Sequence, residues 1–161
     1  MSMTFAAAYA MVMGTASIST AQIDTQQHHC LAEAIYFEAG NQSYFGKIAV
    51  ANVIMNRAKS SGKTVCEVIK RPKQFSYRQM TAFKKQNIKV DQPKVKIAVV
   101  NSITVAKAAL KKNLPDLTRG ARFYLNPAAA TDFSWSSKFT KTVVIGDHHF
   151  YIDPKAKNGN A

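Results

Sequence analysis

CLAEAIYFEAGNQSYFGKIAVANVIMNR, residues 30–57, reads as two helices joined by a polar break. Cys30, Leu31, Ala34, Ile35 and Glu38 recur at helical spacing along one side of residues 26–38. GNQS, at 40–43, breaks that pattern with Gly and Asn, which are helix-ending types. A second, strongly apolar helix is expected at about 46–60, with Val50, Val53, Ile54 and Arg57 on one stripe. Glu33 and Glu38 are five residues apart, so on a helix they point about 140° from each other. That spacing predicts Glu33 toward solvent and Glu38 with Leu31 and Ile35, toward the interior or a cleft. Partial desolvation there raises a carboxyl pKa, as a general acid working near neutral pH requires. The structural alternatives are that Glu38 caps the following loop or pairs with Arg57.

Outward from this stretch, SGKT is a turn, and VCEVIKR is a short helix or extended piece ended by Pro72. KQFSYRQM is a loop or short helix. Residues 94–113 predict a long helix whose apolar side is Ile97, Val100, Ile103, Ala106 and Leu110, with Lys111 and Lys112 suiting its C-terminal dipole. From Thr118 the texture changes. ARFYLNP is short and aromatic, TDFSWSS is loop-like, and KTVVIGDHHFYI alternates around Gly-Asp as a hairpin does. Helices first and a small β element last give an α+β fold. Residues 26–154 form a single catalytic domain and 155–161 a flexible tail. Residues 1–25 are an apolar segment, read either as an export signal or as a packed helix.

Hydrophobic residues make up 47% of the chain and charged residues 19%, as in ordinary globular domains. The charge balance is unusual: 22 Lys and Arg against 9 Asp and Glu give +13. Such a chain is drawn to polyanions, whether nucleic acid, an anionic membrane surface or bacterial wall polymers. No helix-turn-helix, RNA-binding or zinc-finger pattern accompanies the charge, so no specific nucleic-acid partner is expected. MTFAAAYAMVMGTASISTAQ has the length and small residues of a secretory apolar region but no leading Lys or Arg. It is too short and weakly apolar for a stable membrane span. Cys30 and Cys66 suit a disulfide if the chain is exported, and two buried thiols if it is not.

The acids limit the chemistry. Asp132 and Asp147 are the acids in the C-terminal loops with a plausible reach to Glu38, and neither has a matching motif. Acting alone, Glu38 would serve first as acid and then as base, with a sugar hydroxyl replacing water as the attacking group. That describes a lytic transglycosylase. The histidines, His28, His29, His148 and His149, give a competing reading as a zinc amidase. No His-x-x-x-His spacing exists, however, and neighbouring histidines on a strand face opposite ways. A third reading is a non-catalytic, basic wall- or nucleic-acid-binding module. No Gly-rich phosphate loop or Ser-centred elbow appears, and no metal or cofactor is expected.

LAEAIYFEA, GKIAVANVIMNR, TVCEVIKRPKQFSY, ARFYLNP and IGDHHFY resemble, in order and spacing, the SleB-type cell-wall hydrolases. These enzymes are the spore-cortex-lytic and related peptidoglycan-degrading proteins, and the resemblance covers about residues 29–152. It implies a lysozyme-like, two-lobed domain that cleaves the glycan strand between MurNAc and GlcNAc. It places the essential acid on Glu38 and substrate-groove positions on Gln74, Phe75, Tyr124, Asn126 and His148. Where the family often reads Glu-Ala-Arg-Gly-Glu, this chain has EAGNQ, so a second carboxylate is replaced by Gln42, which could position a water or an N-acetyl group. The EAGNQS form resembles bacteriophage members, implying a lysis enzyme that acts on a host wall. The placement of Cys30 and Cys66 is similar to that of exported members with a disulfide. A monomeric, exported protein whose partner is peptidoglycan follows.

Overall fold

The computed structural model describes residues 1–15, 24–71, 75–79 and 81–156. The helices are α1 (Phe5–Thr15), α2 (Thr25–Ala39), α3 (Tyr44–Ser61), α4 (Val65–Lys70), α5 (Thr81–Lys85) and α6 (Pro93–Leu110). Short 3-10 turns occupy Ser76–Gln79 and Ser134–Lys138. Strands β1 (Phe123–Leu125), β2 (Thr140–Ile145) and β3 (His148–Ile152) form an antiparallel sheet in the order β1-β3-β2. This is the expected α+β arrangement of helices first and a small sheet last.

Local signals set the boundaries. The Asp24 carboxylate accepts from Gln26 and Gln27 N–H at the start of α2, and Ser43 caps α3. Gly62, at φ 66°, ends α3 with the left-handed residue that Gly supplies most cheaply. A capping box of Thr64 and Glu67 opens α4. Pro93 stands in the first turn of α6.

α2 lies at the centre, with α3, α4 and α6 against it and α1 and the Ser76–Gln79 turn closing the remaining sides. It is therefore buried nearly all round, with His28, Cys30 to Ile35 and Ala39 all out of solvent. This corrects the expectation for Glu33, which is buried, because the face opposite Leu31 and Ile35 is covered as well. α6 differs from expectation in its phase. Its buried residues are Val99, Ser102, Ile103, Val105, Ala106 and Ala109, while Ile97 faces outward. Ser102 tolerates an interior position because its hydroxyl donates to the Ala98 carbonyl at 2.7 Å. The TDFSWSS segment, read as a loop, contains the second 3-10 turn.

Helix α1 packs into the helical body through Phe5, Ala8 and Tyr9, and Met3 pairs with Ile88. Residues 16–23 and 157–161, which carry part of the expected export segment and tail, lie outside the described residues. A disulfide joins Cys30 on α2 to Cys66 on α4, with Cα atoms 5.4 Å apart.

The sheet docks on α3. Ala49 and Val53 face Phe150 and Ala121 in a second small core. Arg57 is the next residue in that four-residue repeat, so it emerges on the same face of α3, beside the sheet.

Candidate active site

Three elements converge on Glu38. It stands on the last turn of α2, three residues beyond Ile35 on the same side. Tyr124 comes from β1, where its register partner is Phe150, and its hydroxyl donates to Glu38 Oε2 at 2.5 Å. Arg57 comes from α3. Burial pushes the Glu38 carboxyl above its ordinary range, against the Tyr124 hydrogen bond, the Arg57 charge and the Tyr77 backbone N–H, which all favour the ionised form. The net result is a carboxyl biased toward holding a proton, with partners ready for its conjugate base. Tyr124 itself is held far above the ordinary tyrosine range by burial and by the adjacent carboxylate, so it stays a donor.

Arg57 is held by aromatic faces. Its guanidinium lies 5.0 Å from the Phe75 ring centroid and 5.6 Å from that of Phe123, and its Nε donates to the Arg122 carbonyl at 2.5 Å. Phe75 is buried, so it supports Arg57 rather than presenting a surface to a ligand.

The buried Glu33 holds the other wall. It accepts from Tyr77 Oη at 3.2 Å and pairs with Arg78 at 3.0 Å. Tyr77 stacks on Phe37 of α2. Glu33 thus fastens to α2 the segment whose Tyr77 N–H reaches Glu38.

The loop after Glu38 is fixed from below and from the side. The buried Lys47 ammonium donates to the carbonyls of Gly40, at 3.2 Å, and Gln42, at 2.7 Å. The Gln42 amide makes a reciprocal pair with the hairpin turn: Nε2 donates to Asp147 Oδ2 at 2.9 Å and Oε1 accepts from Asp147 N–H at 3.1 Å. Gly146, at φ 58°, lets this happen, since a Cβ there would run into Gln42 Oε1.

The residues expected at the site, Gln74 apart, therefore have locations. Glu38, Tyr124 and His148 are brought together: His148 is buried with its ring edge-on to Tyr124, centroids 5.0 Å apart, and its Nδ1 has no hydrogen-bond partner among the described residues. Gln42 is turned to Asp147, and Asn126 Oδ1 accepts from Ala128 N–H in its own turn. Gln74 lies outside the described residues. The site residues that sequence reasoning missed are Tyr77, Lys47 and Phe123. Only Lys47 carried a signal, as a cation in the apolar first half of α3.

The histidines are dispersed. His28 is buried among α1 and α6, its Nδ1 accepting from Tyr9 Oη at 2.6 Å and its Nε2 donating to the Ile103 carbonyl at 2.9 Å. Both ring nitrogens are committed, and burial holds the ring below its ordinary pKa. No group of three metal-ligating side chains occurs among the described residues.

The chain belongs to the cell wall hydrolase family, whose sequence profile matches residues 41–151. The match begins just past Glu38, so the acid rests on geometry and not on the profile. The chain is 33% identical over 141 residues to a spore cortex-lytic enzyme of Oceanobacillus iheyensis, covering 85% of this chain and 46% of that protein. It therefore spans about half the length of that curated relative. Among solved structures it is similar to the catalytic domain of the germination-specific lytic transglycosylase SleB from Bacillus anthracis, with a TM-score of 0.59 and 28% identity, over 81% of this chain and 98% of that one. The catalytic domain of the Bacillus cereus SleB protein matches with a TM-score of 0.55 and 31% identity, over 85% of this chain and all of that one (100%). The family resemblance and the α+β class read from the sequence are both borne out. No described helix is long and apolar enough to cross a membrane.

Proposed function

We propose that this protein cleaves the glycan strand of peptidoglycan between MurNAc and GlcNAc, with Glu38 acting first as acid and then as base. The observation that carries the reading is the buried Glu38 carboxyl, held by Tyr124 at 2.5 Å beside Arg57. The protonated carboxyl donates to the bridging oxygen as the bond from the MurNAc anomeric carbon breaks, and the GlcNAc hydroxyl leaves. The resulting carboxylate, stabilised by the Tyr124 hydroxyl and Arg57, takes a proton from the primary hydroxyl of the same MurNAc. That oxygen bonds to the anomeric carbon and closes an anhydro ring. Water in place of that hydroxyl would give muramidase chemistry. Similarity to the Bacillus anthracis lytic transglycosylase supports the first route.

Action outside the cytoplasm is part of the proposal and is supported by the Cys30–Cys66 disulfide, a bond kept in oxidising compartments. A role in lysing a phage host rests on the EAGNQS resemblance alone.

The test is Glu38→Gln, which keeps shape and removes the titratable proton. Loss of at least about 100-fold in the release of soluble glycan from purified sacculi is expected. Activity within tenfold of the unsubstituted protein defeats the assignment. Mass spectrometry of the products reads the route, since anhydro-MurNAc ends mark transglycosylation and reducing ends mark hydrolysis. Release of free peptides without glycan cleavage would mark an amidase and overturn the reading.

A further inference from the structure

A cavity of about 210 Å³ opens between the end of α3, α4 and β1. Arg57, Lys63, Arg71 and Arg122 line it, with Ser60 and Phe123, and no Asp or Glu does. Its serines are spent locally: Ser60 and Ser61 both donate to the Arg57 carbonyl. Polar contact with a ligand therefore falls to the cations. Lys63, Arg71 and Arg122 make no ion pair among the described residues, and Glu67 of α4 is turned to the Thr64 N–H in the capping box. Lys63 acts on Glu67 only as a distant charge. The Arg122 guanidinium is close enough to oppose the charge of Arg57. Like charges gathered around a concavity are costly unless an anion is shared between them. Guanidinium forks match a carboxylate in shape as well as charge.

The position is as informative as the charge. Arg57 is the wall common to this cavity and to the Glu38 carboxyl. An anion seated in the cavity would share Arg57 with the acid.

We propose that this cavity is a subsite for a carboxylate carried by the muramyl unit next to the scissile bond, bound by Arg71 and Arg122 with Lys63 at the rim. The proposal rests on the glycan-cleaving reading above. Two sources supply such a carboxylate: the stem peptide, or the lactyl group on strands stripped of peptide.

The experiment compares the unsubstituted protein with Arg71→Gln/Arg122→Gln on purified sacculi, on sacculi whose carboxyls have been converted to amides, and on strands freed of peptides. On ionised sacculi the double variant should need about tenfold more substrate for half-maximal rate, with its limiting rate within twofold. On amidated sacculi the unsubstituted protein should fall to the level of the variant. A difference that vanishes on peptide-free strands confines the subsite to the stem peptide, and one that persists there shows that the freed lactyl carboxylate is taken as well. Lys94→Gln/Lys96→Gln, which removes the same charge from the start of α6, should change the half-maximal concentration less than twofold. Equal performance of the two proteins on ionised sacculi overturns the subsite. So does an equal gap on amidated sacculi, or a tenfold loss in the α6 control. If the double variant fails to fold, Arg122→Gln alone takes its place in the same comparison. If that protein releases no glycan at all, the glycan-cleaving reading fails. Co-sedimentation of the unsubstituted protein and the double variant with ionised and amidated sacculi then tests the cavity separately: a tenfold loss by the variant on ionised sacculi alone sustains it, and equal binding of the two proteins overturns it.

Discussion

Burial raises the pKa of Glu38, while Tyr124 and Arg57 limit how far that bias goes. The sign of each effect follows. Activity needs the protonated acid, so it should fall as pH rises through the raised pKa. Tyr124→Phe removes a hydrogen bond donated to the ionised form, so Glu38 should become a weaker acid still, and the alkaline limb of the pH–rate profile should move to higher pH. A limb that moves down, or stays put, contradicts the assigned role of the tyrosine. The same linkage acts on stability. A carboxyl with a native pKa above its unfolded value of 4.5 stabilises the fold most below that value, and the contribution is lost as pH rises through the native pKa. Glu38→Gln should therefore melt higher than the unsubstituted protein at neutral pH, with the gap closing toward pH 4. A lower melting temperature at both pH values would count against it. Removing the acid should thus cost activity and gain stability, as expected of a group placed for chemistry.

Helix α2 shows how packing around an element can override its own pattern. The spacing of Leu31, Ile35 and Glu38 was legible because one face of any buried helix must be apolar. The burial of Glu33 was not legible, since a helical wheel cannot say how many sides are covered, and here Tyr77 and Arg78 arrive from 44 and 45 residues away. Glu33→Ala should destabilise the fold by about 2–3 kcal/mol, because it leaves the Tyr77 hydroxyl buried without its acceptor. A denaturant midpoint shifted by much less would mean that water replaces the carboxylate. The disulfide ties α2 to α4 across 36 residues of chain. Reduction, or Cys66→Ala, should cost roughly 4 kcal/mol in the chain-entropy account and lower Tm by on the order of 10 °C. An unchanged Tm under reductant would show that the bond contributes little. The β2–β3 hairpin was legible from alternation around Gly-Asp. Its clasp onto Gln42 was not, since a pair 105 residues apart leaves no local trace.

Across the whole molecule, the +13 charge sets how the protein meets a polyanion. Sedimentation with sacculi should weaken steeply between 50 mM and 500 mM salt, as the screening length shrinks from about 14 Å to about 4 Å. Salt-independent binding would mean that apolar contacts dominate. Charge counts carry no positions, so in the sequence these charges are only a bulk property. The fold gathers Arg57, Arg71, Arg122 and Lys63 around one cavity from α3, its C-terminal turn, the end of α4 and the approach to β1.

The Tyr124–Glu38 contact spans 86 residues, and the strand that carries Tyr124 is held in the sheet by β3, near the end of the chain. The acid is consequently assembled only once β1 and β3 have paired. Until that sheet has docked on α3, Glu38 lacks the hydroxyl that steadies its ionised form. A partly folded chain therefore carries the active residue without the partner that sets its acidity.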